Sequence, residues 1–123
     1  MGIGCDVSQP EQVRQMIDDV INYFGRLDYA VNNAGITGEH GKKITEQTVE
    51  NWDKVIATSL SSVFYCLKYE IPQMMKMGGA IVNLSAVNGL VGIPGLAPYT
   101  AAKHGIIGLT QTAALEFACQ GIR

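Results

Sequence analysis

The sequence predicts an α/β fold, a parallel sheet with helices on both faces. Three observations carry this. Short apolar runs at 3–5, 27–31 and 80–84 alternate with helical patterns at 10–24, 49–77 and 99–118, the order that gives a parallel sheet. Right-handed crossovers place such helices on the two sheet faces. Polar segments then follow each run: Cys5-Asp6-Val7, Asn32 to Gly35 and Ser85 to Asn88. In parallel sheets ligands bind beyond the carboxyl ends of the strands, so the three segments are expected to converge on one crevice, with Tyr99 following the third.

Taken in order, Ile3 to Cys5 reads as the end of a strand. Ser8-Gln9-Pro10-Glu11 is a helix start, with Ser8 as N-cap, Pro10 in the first turn and Glu11 placed for a capping box. Val13, Met16, Ile17, Val20 and Phe24 follow at helical spacing, and Gly25 can end the helix. Leu27 to Val31 is a short strand leading to Asn32-Asn33-Ala34-Gly35, and residues 36–46 form a loop. A long helix is expected over 49–77, with Thr48 as N-cap and Pro72 bending it near its end. Trp52, Ile56, Leu60, Val63, Leu67, Ile71 and Met74 make one apolar stripe, while Val55, Ser59, Ser62, Cys66 and Tyr69 form a second uncharged face. Such a helix has cover on more than one side. Gly78-Gly79 precedes a buried strand, Ala80 to Leu84, and a glycine-rich loop leads into the last helix, Tyr99 to Ala118. Lys103 and Glu116 are that helix's only formal charges, so it is expected to be buried, partly against a partner chain.

Composition narrows the function. The 123 residues hold one domain with a single core. Net charge is −2 without a basic run, which argues against nucleic acid as a partner. Charged residues are 16% of the chain, below the roughly 25% usual for soluble domains, as expected where surface is hidden in an oligomer or where the chain is part of something larger. No apolar run reaches the ~18 residues that cross a bilayer, and the N-terminus is no signal peptide. Cys5, Cys66 and Cys119 fit neither a disulfide framework nor zinc spacing, and read as reduced, buried thiols of a cytoplasmic protein. No metal site is expected: His40 lies in a loop without a second ligand, and His104 has a packing or surface role. Trp52 and the group Met74, Met75 and Met77 read as core and helix-end packing.

The chemistry is concentrated in Tyr99-Thr100-Ala101-Ala102-Lys103. On a helix the tyrosine and lysine sit one above the other. An ammonium favours the phenolate of a group whose ordinary pKa is about 10, which suits proton exchange near neutral pH. The same spacing also fits an ordinary helix face, so the company of the pair decides.

Asn32-Asn33-Ala34-Gly35 after a strand, Gly79-Ala80-Ile81-Val82-Asn83 entering the next, and Tyr99-x-x-x-Lys103 on the following helix resemble, in order and spacing, the motifs of the short-chain dehydrogenase/reductase family. The similarity covers essentially the whole chain. It implies an incomplete, Rossmann-like NAD(P)-binding domain over 1–123 and hydride transfer between NAD or NADP and a secondary alcohol or ketone. Tyr99 would be the acid/base, and Lys103 would lower its pKa and bind the nicotinamide ribose. Asp6 would lie at the adenine, Val7 would also bind the cofactor, and Asn32 to Gly35, with Asn33, Ala34 and Gly35 as binding residues, would line it. Residue by residue, Asp6 reads equally as a helix-entry residue, and Asn32 and Asn33 as turn residues.

The chain departs from the family in three ways. The family's substrate-holding serine lies thirteen residues before the tyrosine, which is Ala86 here; Ser85 is one residue off, and a one-residue shift points a strand side chain to the other face. The family's asparagine on the long helix, part of a proton relay, is Ser59 here, which also reads as a small residue at a helix contact. The glycine-rich pyrophosphate turn and the substrate-covering segment are not in the sequence, so the chain reads as the central part of such an enzyme, truncated at both ends. The expected partners are a small alcohol or carbonyl substrate and further copies of the chain as a homodimer or homotetramer. The alternative is a non-catalytic fragment or relative that acts through helix-mediated association.

Overall fold

Pattern and backbone chemistry account for most of the elements in the computed structural model, which describes residues Met1–Arg123. Helix α1 (Pro10–Phe24) buries Val13 and Ile17 against α3 (Ser62–Met74) and ends at Gly25, left-handed at φ 77°, whose N–H donates to the Ile21 carbonyl. Its N-cap is Gln9, without a side-chain cap bond. Ser8 lies one residue before the cap, and its hydroxyl donates to Asp6 Oδ1 at 2.8 Å. Pro10 takes the first helical position, where its missing N–H costs no bond. Residues 3–5, expected as a strand end, pair with no other strand.

Two short strands form the sheet. Strand β1 (Tyr29–Asn32) lies parallel to β2 (Ala80–Asn83), with Tyr29 opposite Ala80 and Asn32 opposite Asn83. On the other edge of β2 the chain returns: Gly79 bridges Ile122 in parallel, and the Ile81 N–H donates to the Arg123 carbonyl at 2.7 Å. Alternation sorts the side chains. Ala30 and Ile81 pack onto a core of Val63, Leu67, Ile71, Met74, Ile106 and Ile122, supplied by α3, α4 (Ala97–Phe117) and the C-terminal residues. Tyr29, Val31 and Val82 point the other way and are exposed. Within these residues α1, α3 and α4 pack together on the core side of the sheet, and Tyr29, Val31 and Val82 on its other face are exposed.

The expected long helix is interrupted. Helix α2 (Val49–Ile56) runs into a π turn over Ala57–Ser61 before α3 begins. The break falls at the turn carrying Ser59 and not at Pro72, which lies in the last turn of α3. The wider i→i+5 winding keeps Asn51, Val55 and Ser59 in line at four-residue spacing, and all three are buried. Trp52, expected in the core stripe, turns outward and is 42% exposed. Thr48 caps α2 as expected, its hydroxyl accepting the Asn51 N–H.

Helix α4 starts at Ala97, before the expected Tyr99, because Pro98 is tolerated in a first turn. Its inner face, Pro98, Ala102, Lys103 and Ile106, is buried, while Leu115 is exposed. Between the outer faces of α3 and α4 runs an apolar groove of about 520 Å³ lined by Phe64, Leu67, Ile71, Met75, Leu109 and Phe117. No helix is long and apolar enough to cross a membrane. Of the three free thiols only Cys66 is buried; Cys5 is half-buried and Cys119 exposed, against the expectation that all are inside.

Candidate active site

The site is built where β2 ends against α4. Three consecutive residues leaving the strand hold the helix. Asn83 Nδ2 donates to Thr110 Oγ1 at 3.0 Å, the Leu84 carbonyl accepts Lys103 Nζ at 2.7 Å, and Ser85 Oγ donates to the Lys103 carbonyl at 2.8 Å. Gly89 makes the last contact possible, since a Cβ there would lie 2.8 Å from the Lys103 carbonyl oxygen. Tyr99 opens the same helix, half-buried, with Lys103 Nζ 5.4 Å from the centre of its ring. The expected stacking on one face is present.

Lys103 is the electrostatic centre. It is 4% exposed, has no carboxylate within ion-pair distance, and makes its one side-chain hydrogen bond to Leu84. Burial lowers its pKa from the ordinary lysine value, because an unpaired ammonium is poorly solvated there. An ammonium carries three donors, so a ligand hydroxyl or a phenolate oxygen fits beside it.

Gly35 brings the strand loop to the same place. A Cβ on it would lie 3.3 Å from Ser59 Oγ and 3.9 Å from Lys103 Nζ, so Gly35, Ser59 and Lys103 adjoin. Ser59 is wholly buried, and its hydroxyl accepts the Ile36 N–H and donates to the Ile36 carbonyl, both at 2.8 Å. Its two bonds thus close on one residue of the loop. Asn33 and Ala34 line a small cleft of about 160 Å³ with Val7, Met16 and Cys66. Of the sequence candidates, Val7, Asn33 and Ala34 come together there, while Gly35, Ser59, Lys103 and Tyr99 cluster beside it. Asp6 is exposed at the entry to α1. Its Oδ1 accepts the Ser8 N–H and hydroxyl, which hold its carboxyl below the usual range. Ser85 is committed to the Lys103 carbonyl. Ala86, extended in backbone, leads into a short 3₁₀ turn over Val87–Gly89.

Several participants were not singled out from the sequence. Buried Glu70 and half-buried Asn83 and Thr110 form a polar chain with half-buried Asn32, whose Nδ2 donates to Glu70 Oε2 at 3.1 Å and to Asn83 Oδ1 at 2.9 Å. The available signal was Glu70 itself, a carboxylate four residues after Cys66 on an otherwise uncharged face. Burial raises its pKa above the ordinary glutamate value, partly offset by the Asn32 bond. Burial, aided by the charges of Glu70 and Cys5, pushes the Cys66 thiol up to about 12.

Comparison with known proteins follows this geometry. Residues 1–123 match the family model described as Enoyl-(Acyl carrier protein) reductase. Cyclohexanol dehydrogenase of Acinetobacter sp. (strain SE19) is 44% identical over 120 residues, 97% of this chain and 47% of the relative. The chain belongs to the short-chain dehydrogenase/reductase family. Among solved members, ElxO with NADP bound superposes with a TM-score of 0.91 at 43% identity, covering 96% of this chain and 48% of that one. NAD+-bound xylitol dehydrogenase superposes with a TM-score of 0.93 at 35% identity, covering 97% and 46%. These likenesses make the two-stranded sheet part of a Rossmann-type α/β fold. The chain spans about half the length of the curated relatives it matches.

The raised pKa of Glu70 sets a pH test. A carboxyl that titrates higher in the fold than in the unfolded chain contributes stability below the ordinary value of 4.5 and loses it as pH rises through the folded value. Glu70→Gln removes that loss. Urea midpoints measured from about pH 4 to pH 8 are expected to show the variant gaining on the parent as pH rises and then levelling off. A constant difference across the range would show that Glu70 ionises in the fold as it does in water.

Proposed function

We propose that this chain carries the proton-transfer half of an NAD(P)-dependent oxidoreductase acting between a secondary alcohol and the corresponding ketone. The observation that carries the reading is the unpaired, buried ammonium of Lys103 beside Tyr99, on the helix that follows β2. A bound nicotinamide supplies or accepts the hydride. In ketone reduction Tyr99 Oη gives its proton to the carbonyl oxygen; in alcohol oxidation it takes the hydroxyl proton. The Lys103 ammonium favours the phenolate that remains and has donors to spare for ribose hydroxyls. Val7, Asn33, Ala34 and Gly35 line the approach on the strand side, with Asp6 at its far end. Family membership supports this reading, and relatives of this fold hold either NAD+ or NADP.

Two family groups are replaced. Ala86 offers no hydroxyl for a substrate oxygen, and the Ser59 hydroxyl serves the Ile36 peptide. Ser59 is read as the residue that holds the Gly35–Ile36 segment, and Ser85 as one that holds α4 to β2. The chain is read as cytoplasmic, in keeping with its three free cysteines.

A second reading, association through helices, is favoured by the open apolar groove between α3 and α4, where Phe64 and Met75 are exposed. A second copy laying the same groove across it would bury both and close an isologous dimer or, with a further interface, a tetramer. The two readings are compatible.

In a protein spanning the full length of its relatives, Tyr99→Phe is expected to lower alcohol oxidation by about 10²–10⁴-fold; turnover that survives rules out the proton-transfer role. Ala86→Ser in the same protein is expected to raise kcat/KM by about tenfold, through a hydrogen bond to the reacting oxygen. No gain would mean that another group already holds that oxygen. Sedimentation at micromolar concentration is expected to show a dimer or tetramer, and a stable monomer rejects the association.

A further inference from the structure

The interior holds a carboxylate that the proton-transfer reading does not use. Glu70 is 3% exposed and flanked on α3 by the core residues Leu67 and Ile71, with no cation paired to it. Its partner is the Asn32 amide, whose two N–H groups have two acceptors: Glu70 Oε2 at 3.1 Å and Asn83 Oδ1 at 2.9 Å. Asn83 passes the chain on to Thr110 Oγ1 at 3.0 Å, and Thr110 donates to the Ile106 carbonyl at 2.7 Å. One series of hydrogen bonds therefore crosses α3, β1, β2 and α4. Asn32 also holds the residue that follows β2, since its carbonyl accepts the Leu84 N–H at 3.0 Å. The carbonyl of Leu84 is the acceptor for Lys103.

We propose that Glu70 is a positioning residue for the Tyr99–Lys103 pair: by anchoring the Asn32 amide it fixes the Asn83–Leu84 strand end that grips α4. The grip has two points. Thr110 and Lys103 lie seven residues apart, two turns along one helix face, and are held by the neighbouring residues Asn83 and Leu84. With Thr110 held by Asn83, the Leu84 carbonyl stays where it accepts the Lys103 ammonium, and the flexible lysine side chain keeps its place beside Tyr99. Without an acceptor at position 70, one N–H of half-buried Asn32 faces the apolar residues of α3 unpaired, which is costly. The amide then turns to find another partner and releases Asn83. Buried polar chains hold one geometry only while every member is satisfied. The inference rests on the reading of Tyr99 and Lys103 as the proton-transfer pair.

The test compares Glu70→Gln, Glu70→Leu, Thr110→Val and Thr110→Ser in a protein spanning the full length of its relatives, with Tyr99→Phe as control. Gln still offers Asn32 a carbonyl acceptor and is expected to leave kcat within about threefold of the parent. Leu is expected to lower kcat about tenfold with the alcohol KM unchanged. It is also expected to move the acid limb of the kcat–pH profile, because the Lys103 ammonium leaves its place in the site. Thr110→Val cuts the same chain at its other end and should move the limb the same way, while Thr110→Ser restores it. A second readout needs no turnover: NMR titration of the Lys103 ε-methylene in isotope-labelled protein should shift in Glu70→Leu and Thr110→Val and stay put in Glu70→Gln. If both breaking variants keep the parent's pH limb and Lys103 titration, Glu70 is only a packing residue. Should Glu70→Leu fail to fold, Thr110→Val decides. Survival of activity in Tyr99→Phe would overturn the functional reading instead, with the Lys103 titration still testing the positioning.

Discussion

The site depends on one constraint: a lysine ammonium held inside the fold without a counter-charge. Lys103 has little water and no carboxylate, so the hydrogen bond to the Leu84 carbonyl is what the chain itself offers it. Burying an unpaired cation is unfavourable, and a group kept there despite that cost has its donors aimed at whatever else comes into reach. The surrounding structure serves this placement. Asn83, Leu84 and Ser85 each bond to α4, and Gly89 lacks a side chain where one would collide with that junction.

The same economy explains the break in the long helix. A π turn is rarer than continued α-helix and often marks functional sites. Here it lets Ser59 be buried with both its hydrogen-bonding capacities spent on the Ile36 peptide. That fixes the loop leaving β1 so that Gly35 comes up against Lys103. The serine thus sets where the loop runs. The replacement at 86 has no such compensation in the structure.

Two apolar surfaces stay exposed in these residues. The open sheet face at Tyr29, Val31 and Val82 and the groove between α3 and α4 both expose large side chains. Together with the low charge content they explain a mean hydropathy of +0.13 in a chain of this size. Glu70 is the counterexample, a charge-bearing side chain kept on an inner face because it completes a hydrogen-bonded series.

The element order, the strand–helix alternation and the Tyr99–Lys103 spacing were legible in the sequence, because apolar periodicity and i,i+4 geometry are local properties. So were Gly25 as a helix stop and Thr48 as a cap, which depend on single residues and their neighbours. The resemblance of Asn32 to Gly35 and of the Tyr99 segment to family motifs gave the candidate site. What local pattern could not give was any choice made by a distant partner. Ser8 fits a cap until the helix starts one residue later, with Gln9 at the cap. Trp52 fits the core stripe until the π turn rotates it out. Ser85 could have served a substrate until the fold brings it to the Lys103 carbonyl. Glu70 reads as one more helix charge until Asn32, thirty-eight residues earlier, reaches it. The sequence by itself determined most of the elements and the Tyr99–Lys103 spacing. Only the tertiary structure decided which polar groups were already spent on the protein and which were left for a ligand, because burial and hydrogen bonding are settled between residues far apart in the chain.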